Sequence, residues 1–511
     1  MFEQKLPIAA ACVFSLLSAA AIAVEVSKAS IEHAGRNIMR TADGGLVATY
    51  VKQGSAPELV FGASVDNGKS WREAHVETSG PIIQSAIDSN FQGSYIAFTE
   101  QRDGKAVGRI AFTAAPFAEH PTVITSDAVT PAGVVPTDTY IQASRKGWGD
   151  KSDQDRETVV YGWQDAATKA LYVGVSPDGR TFPEAKKVLD DEFAKSGPAV
   201  AIRGKYIFAT YLTTNPAIVP SDVPASERQG RAYQAILQSV DGGQTWTQPQ
   251  PLFGHVAAGY PSVNVQVRGK DGKVRGEMVR LDHGTGMENH ASLDWASEGD
   301  TDGIDFAQSS LSGKDSNGNL ITEVGIVSFK RSRLNDPWKH VVANNLLVAH
   351  AKQLEGSRSS PVAATAQFQY SALPDTPIRL TTYTEYDTTT QQPRLVLASS
   401  SDTGMTFNHH ASFTPAQLAK AGLGQFTKDS VVEVSQCLFE DRDGTVYVDF
   451  LAQEQGQMRY ARVPIGINAV ALRKSDQHAA EMRQRADRIR AARAASQQAK
   501  VEDSAAVIAS R

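Results

Sequence analysis

The stretch SVDGGQTW, Ser239–Trp246, decides the fold, because the chain nearly repeats it. It spaces a serine, an aspartate, a glycine, a threonine and a tryptophan within one short segment. Close copies are SVDNGKSW (Ser64–Trp71), SSDTGMTF (Ser400–Phe407) and the shorter SPDGRTF (Ser176–Phe182). An internal repeat constrains the architecture of a protein more strongly than any single residue does.

Each copy is predicted to form the turn of a β-hairpin. Gly68, Gly243 and Gly404 can take a positive φ without a Cβ clash, and Asp and Ser side chains can accept hydrogen bonds from turn amides. The closing Trp or Phe can bury apolar area between neighbouring sheets. A β-rich segment precedes every copy, namely ELVFGAS, LYVGVS, YQAILQS and RLVLASS.

The spacing of the copies predicts a propeller. Their first serines are 112, 63 and 161 residues apart, and a unit of roughly 50–65 residues, the scale of a four-stranded blade, fits these gaps. Strand-like runs with turn signals give candidate blades at 34–80, 81–127, 131–192, 196–253, 258–350, 357–412 and 430–466. We therefore predict an all-β fold, a β-propeller of seven blades, or of six if two groups merge.

The four copies resemble the Asp-box, the repeat of the sialidase superfamily and of other propellers built on BNR repeats. In that family the box lies at the blade periphery, away from the active site. The resemblance implies a glycan-active protein with an acidic sugar substrate, working as a glycoside hydrolase or lyase. A sialidase site has three arginines on the substrate carboxylate, a tyrosine nucleophile activated by a glutamate, and an aspartate as acid/base.

Two arginines are candidates for binding the substrate carboxylate, which planar guanidinium groups pair bidentately. GRNIMRTADGGLVATY (Gly35–Tyr50) is similar to the family segment that carries the first arginine, and it supplies Arg36, with Arg40 competing for the same role. EGSRSSP (Glu355–Pro361) supplies Arg358 at the start of a candidate blade.

The acid/base and nucleophile candidates are Glu58 and Tyr370. Glu58 is the acidic residue of KQGSAPELV (Lys52–Val60), where the family has an aspartate. YSALPDTPIRLTTYTEY (Tyr370–Tyr386) is similar to the family tyrosine segment, although it precedes the last box copy. The candidate catalytic residues are thus Arg36, Glu58, Arg358 and Tyr370.

Two other functions stay open. The departures at the aspartate and the tyrosine favour a non-catalytic propeller that binds a glycan or a cell-envelope protein, since a fold can keep its repeats without its site. Histidines from different blades could instead form a metal-dependent enzyme site; these are His283, His290, His409 and His410. No cofactor and no metal site are included in the preferred prediction.

The N-terminus and the composition predict an exported protein. Residues 1–23 have the pattern of a signal peptide with cleavage after Ala23, and no later run is long enough to span a bilayer. We expect a propeller domain over 24–466, a helical, basic tail over 467–511, and a secreted or periplasmic location. The net charge of −5 argues against a nucleic-acid partner; a glycan or glycoconjugate is the expected ligand.

Overall fold

The structure is a computed structural model that describes most of the chain. It covers residues 22–25 and 36–472, apart from 42–43, 53–56, 145–156, 204–205, 219–232, 252–261, 281, 284–291, 298–302, 319, 331–341, 353–368, 374–375, 377, 387–392, 402–408, 421–430, 436 and 455–456.

The first half of the described chain forms strand β1 (Ile22–Glu25) and four antiparallel four-stranded sheets. Sheet 1 contains β2 (Ile38–Arg40), β3 (Leu46–Lys52), β4 (Glu58–Ser64) and β5 (Arg72–His75). Sheet 2 contains β6 (Ile82–Asn90), β7 (Gly93–Arg102), β8 (Lys105–Thr113) and β9 (Ile124–Thr125). Sheet 3 contains β10 (Pro136–Ala143), β11 (Val159–Asp165), β12 (Leu171–Ser176) and β13 (Lys186–Leu189). Sheet 4 contains β14 (Ala194–Arg203), β15 (Tyr206–Thr213), β16 (Tyr233–Ser239) and β17 (Gln250–Pro251).

The second half adds a two-stranded hairpin and three larger sheets. The hairpin is β18 (Ser262–Arg268) and β19 (Val274–Arg280). Sheet 5 contains β20 (Asp282–His283), β21 (Ser292–Ser297), β22 (Gly303–Lys314), β23 (Leu320–Lys330) and β24 (Val342–Lys352). Sheet 6 contains β25 (Gln369–Ala372), β26 (Arg379–Tyr386), β27 (Pro393–Ser400) and β28 (His409–Phe413), followed by helix α1 (Pro415–Lys420). Sheet 7 contains β29 (Val431–Val434), β30 (Phe439–Glu440), β31 (Thr445–Glu454), β32 (Gln457–Asn468) and β1, and helix α2 (Ala469–Leu472) follows it.

The sheets are arranged as a β-propeller. The edge strands β2, β6, β10, β14, β21, β25 and β29 contact one another in this order, and β29 contacts β2. We call them the innermost strands. The apolar cores lie between successive sheets: Phe61 of sheet 1 packs in one cluster with Phe98 of sheet 2, and Tyr211 of sheet 4 in one cluster with Leu171 of sheet 3. Another cluster joins sheet 7 to sheet 1.

The predicted box turns are present in the copies that the structure describes. In the first copy, Ser64 Oγ accepts the Gly68 amide at 2.8 Å, and Asp66 accepts the amide and hydroxyl of Ser70 at 2.9 and 2.6 Å. The copy at Ser239–Trp246 has the corresponding bonds at 2.8, 2.9 and 2.5 Å. Most of the last copy, residues 402–408, lies outside the described residues.

In the three copies whose closing aromatic residue is described, that residue packs against the preceding sheet, as predicted. The Trp71 ring meets Tyr460 of sheet 7 edge-on, with centroids 5.8 Å apart. Phe182 of sheet 3 meets Tyr95 of sheet 2 in the same manner at 6.3 Å. Local turn chemistry and packing between sheets are therefore coupled in one short motif.

The strand register separates two faces of the disc. In sheet 1, the last residue of β2, Arg40, pairs with Leu46, and Leu46 pairs with Ser64 at the start of a box turn. Sheet 3 has the same register, with Ala143, Val159 and Ser176 in the corresponding positions. In sheet 4 the box-turn residue Ser239 pairs with Ile207, which pairs with Ile202, the next-to-last residue of β14. We call the face that carries the box turns the lower face, and the face where the innermost strands begin the upper face.

Both ends of the predicted domain fall close to strands of sheet 7. Strand β1 spans the predicted cleavage position and pairs with Gln457–Tyr460, from Glu25↔Gln457 to Ile22↔Tyr460. Strand β32 continues to Asn468, and residues 1–21 and 473–511 lie outside the described residues. Signal cleavage and the helical tail therefore stay predictions. In the part of the chain that the structure describes, no helix has the length and apolar character that crossing a membrane requires.

Candidate functional site

Arg36 lies at the upper face, two residues before the start of innermost strand β2. Its carbonyl oxygen accepts the Ile87 amide of sheet 2 at 2.7 Å. The neighbouring Asn37 side chain donates to the Ser85 carbonyl and hydroxyl at 3.1 and 3.2 Å. Arg36 is 9% exposed. Bonds across the seam between sheets 1 and 2 thus fix the backbone that carries this arginine.

Arg40, which competes for the same role in the sequence, lies at the lower face. Its guanidinium binds both oxygens of Asp449 at 2.5 and 2.6 Å, and it donates to Asn67 of the first box turn at 3.0 Å. Burial alone would lower the pKa of Arg40, but the Asp449 carboxylate outweighs it and raises the pKa. Arg40 therefore joins sheets 1 and 7, and Arg36 is the arginine at the upper face.

Glu58 also lies at the upper face, but in the third strand of sheet 1. In the strand register, Glu58 pairs with Lys52 at the connection between β3 and β4. Glu58 Oε1 lies 2.7 Å from His75 Nδ1, and both side chains are about half exposed. Two strand spacings of about 4.8 Å each separate β4 from the innermost strand. The structure therefore holds Glu58 in a cross-strand pair, away from the innermost strand that Arg36 precedes.

A tyrosine–glutamate pair joins the second and fourth strands of sheet 1, β3 and β5. The Tyr50 hydroxyl donates to Glu73 Oε1 at 2.5 Å, and Lys52 forms an ion pair with the other Glu73 oxygen. Burial, and then Glu73 itself, raise the pKa of the Tyr50 phenol. The phenol stays protonated and buried, which makes it a poor nucleophile. The pair instead stabilises the sheet.

The other candidates lie where side chains are not described. Tyr370 is in β25, where its backbone pairs with Thr381. Arg358 and His290 lie outside the described residues, and His283, His409 and His410 lie in strands whose side chains are not described there. Within the described ranges, no group of three or more His, Cys, Asp or Glu side chains is arranged to hold a metal ion.

Four polar side chains that the sequence analysis missed join the innermost strands of sheets 2, 3 and 4. Gln84 accepts the Thr139 amide at 3.0 Å, and Asp88 accepts the Ala143 amide at 2.8 Å. One sheet further on, Asp138 accepts the Gly197 amide at 3.0 Å, and Gln142 accepts the Ile202 amide at 2.7 Å.

The sequence does contain a signal for these bonds. In each strand that supplies the acceptors, the two polar residues stand four residues apart, in IIQSAIDSN and in PTDTYIQA. A buried acceptor needs a donor, and strands of one sheet already use their own backbone amides. The pattern therefore indicates that the hydrogen-bond donors lie in another sheet, but it does not identify which residues they are.

The upper ends of the same three strands are irregular. The register shifts between Ile82 and Gln84 in β6, between Thr137 and Tyr140 in β10, and between Ser196 and Ala199 in β14. Such β-bulges are over-represented next to binding sites, because they turn a side chain in a new direction. The upper face of sheets 2 to 4 is thus shaped by three successive bulges.

Comparisons with known proteins give distant structural similarities. No protein-family profile and no curated protein matches the sequence. An ulvan lyase of polysaccharide lyase family PL25, bound to -[GlcA(1-4)Rha3S]-, is 12% identical, with a TM-score of 0.41, over 88% of this chain and 99% of its own. The Trypanosoma rangeli sialidase in complex with sialic acid is 11% identical, with a TM-score of 0.33, over 89% of this chain and 60% of its own. An α-L-arabinofuranosidase from Podospora anserina in complex with cellotriose is 10% identical, with a TM-score of 0.26, over 63% of this chain and 85% of its own.

Proposed function

We propose that this protein is an exported propeller that binds an acidic glycan at its upper face and cleaves it, as a glycoside hydrolase or a lyase. The observation that carries the proposal is Arg36, an arginine two residues before innermost strand β2, on a segment that is hydrogen-bonded to sheet 2. A planar cation in a mostly buried position pairs strongly with a carboxylate, because the effective dielectric constant there is low.

The proposed disc has seven blades, one for each of sheets 1 to 7. This number is supported by the unbroken series of contacts among seven innermost strands. It also matches the seven groups of strand-like runs in the sequence. Closure removes most of the unpaired strand edges that so many short strands would otherwise expose.

The proposed residue roles follow the sequence candidates. Arg36 binds the carboxylate of the acidic sugar, with Arg358 as a second cation. Tyr370 is the proposed nucleophile, and Glu58 the proposed acid/base, which requires that substrate draws Glu58 away from His75. The proposal also includes export through residues 1–23 to the periplasm or the medium.

A second candidate function is binding of an acidic glycan without cleavage. It is favoured by the pairing of Glu58 with His75 in the third strand of sheet 1. A carboxylate already held by a neighbour, and distant from the innermost strand, suits a structural role better than proton transfer to a sugar.

The test is turnover by the purified full-length protein. The substrates are a fluorogenic sialoside, followed by fluorescence, and uronate-containing polysaccharides, followed by the ultraviolet absorbance of an unsaturated product. Arg36→Ala is expected to lower kcat/KM about tenfold to hundredfold, the loss expected for a hydrogen-bonded charged contact. Arg36→Lys should retain part of the activity, since the charge remains.

Arg180→Ala is the matched control, because Arg180 is an exposed arginine in a lower-face box turn. Equal losses in the Arg36 and Arg180 variants would contradict the proposed role. If no substrate turns over but acidic oligosaccharides bind, the second candidate function is favoured instead.

A further inference from the structure

Three large apolar side chains are exposed at the upper face of successive sheets. They are Ile83, Val135 and Phe193, which are 37%, 43% and 38% exposed. Ile83 lies within the bulge of β6, Val135 directly before β10, and Phe193 directly before β14. Because β6, β10 and β14 are in contact in this order, the three residues follow one another around the disc.

Buried carboxylates fix the backbone that presents these side chains. The Val135 amide donates to Asp165 at 3.0 Å, and the Phe193 amide donates to Asp191 at 3.0 Å. Both aspartates are less than 5% exposed. Asp191 also accepts the Tyr211 and Thr213 hydroxyls at 3.0 and 2.8 Å.

The segment before Ile83 is held in a similar way. The buried Glu100 accepts the Ser79 amide at 2.6 Å, and the Gln101 amide donates to the Pro81 carbonyl at 2.8 Å. An apolar surface on a backbone that is already ordered loses little conformational freedom when a ligand binds. The three side chains are therefore carried by backbone that is already ordered.

Asp138 lies in β10, the middle one of these three strands, and has an unusual backbone. Its φ is 52°, and the other described non-glycine residues with a left-handed φ lie outside strands. One carboxylate oxygen accepts the Gly197 amide of the next sheet, and the residue is half-buried. A left-handed φ is strained for a residue with a side chain, and strained residues cluster at active sites and ligand clamps.

We propose that Ile83, Val135, Asp138 and Phe193, the rim strip, bind an uncharged sugar ring. The ring's C–H face packs on the apolar side chains, and its hydroxyl groups donate to the Asp138 carboxylate in charge-assisted hydrogen bonds. A carboxylated ring is disfavoured here, because two like charges would face each other.

The rim strip adjoins the position of Arg36. Asn37, next to Arg36, bonds to Ser85, and Ile83 precedes Ser85 by two residues, about 7 Å along an extended strand. This inference rests on the proposed function and narrows its substrate to a glycan in which an acidic sugar is linked to a neutral one. Arg36 takes the acidic unit, and the rim strip takes the neutral unit.

Binding of three probes to the full-length protein tests the inference. The probes are lactose, free N-acetylneuraminic acid and 3′-sialyllactose, measured by calorimetry. Asp138→Asn and Phe193→Ala are expected to weaken lactose and sialyllactose about tenfold or more, since each removes a charged hydrogen bond or a packed ring. Neither variant should change the affinity for the free acidic sugar.

Asn tolerates a left-handed φ and can still accept the Gly197 amide, so Asp138→Asn is expected to fold with an unchanged melting temperature. Ile124→Ala is the matched control, because Ile124 is an exposed isoleucine in the outermost strand of sheet 2.

The outcomes separate the inference from the proposed function. Lactose binding that depends on Asp138, with no binding of the acidic sugar, supports the rim strip and counts against the acidic-glycan function. Two outcomes overturn the rim strip alone, provided that the acidic sugar binds and its binding depends on Arg36. In the first, lactose does not bind; in the second, Asp138→Asn and Phe193→Ala bind lactose as Ile124→Ala does. Absence of binding by all three probes overturns both.

Discussion

Asp178 illustrates how a single carboxylate holds a box turn. It accepts the amides of Arg180 and Thr181 at 2.9 and 2.7 Å and the Thr181 hydroxyl at 2.8 Å. Burial raises the pKa of Asp178, but these hydrogen bonds outweigh it and bring the pKa to about 2. The same arrangement lowers the pKa of Asp66 and of Asp241.

This depressed pKa predicts a loss of stability in acid. An aspartate in an unfolded chain has a pKa of about 3.9, so the bonds of Asp178 stabilise the fold fully above that pH. Their contribution falls as the pH drops from about 4 through about 2. We expect the melting temperature of Asp178→Asn to fall less over this range than that of the wild type. The exposed Asp127→Asn is the control, and it should follow the wild type; identical curves for all three proteins would refute the role of Asp178.

The first box turn also depends on contact with sheet 7, which adjoins sheet 1. Gly68 has a φ of 78°, and a Cβ at this position would lie 2.1 Å from the Tyr460 ring of sheet 7. Gly242, in the copy at Ser239–Trp246, has a φ of 74° with nothing within 4 Å of a built Cβ. The two glycines therefore separate the cost of the backbone conformation from the cost of packing.

Alanine substitution at these two glycines should have unequal effects. Both variants incur the left-handed backbone cost of about 1–2 kcal/mol, and Gly68→Ala adds an overpacking cost of about 1–3 kcal/mol. Urea unfolding monitored by tryptophan fluorescence measures the difference in the free energy of unfolding. An equal loss in the two variants would show that the seam between sheets 1 and 7 adapts freely.

The disc is closed by a buried ion pair between its first and last sheets. Arg40 and Asp449 are 2% and 0% exposed and bind through two hydrogen bonds. The Tyr460 hydroxyl also donates to Asp449 at 2.6 Å, and the Arg40 guanidinium lies 4.4 Å from the Phe439 ring centre. Sheets 1 and 7 are thus joined by charge, hydrogen bonding and aromatic contact at one point.

Breaking this pair should strongly destabilise the protein. Arg40→Ala leaves Asp449 buried without its cation, and we expect a loss of about 3–5 kcal/mol in the free energy of unfolding. The exposed pair Arg275–Asp271 is the matched control, and Arg275→Ala should cost at most about 1 kcal/mol. Denaturant unfolding of both variants checks this. A loss no greater in Arg40→Ala than in Arg275→Ala would mean that the seam does not depend on the pair.

The box turns and the grouping of strands could be predicted because their causes are local. The Ser, Asp and Gly of one copy bond to one another within a few residues, so residue type and spacing are sufficient. The aromatic residue at the end of each copy also predicted packing between neighbouring sheets. It did not predict which residue of the neighbouring sheet the ring contacts.

The choice between Arg36 and Arg40 depended on the tertiary structure. The two arginines lie four residues apart in one segment, and only ring closure brings Asp449, 409 residues away, to one of them. The rim strip likewise combines residues of three sheets. The sequence by itself determined the repeated turns and the β-rich units, whose hydrogen bonds close over short distances. The tertiary structure of the propeller determined which polar side chains are buried in pairs and which lie at the upper face. The surroundings of each of these side chains are formed by residues that are distant in the chain.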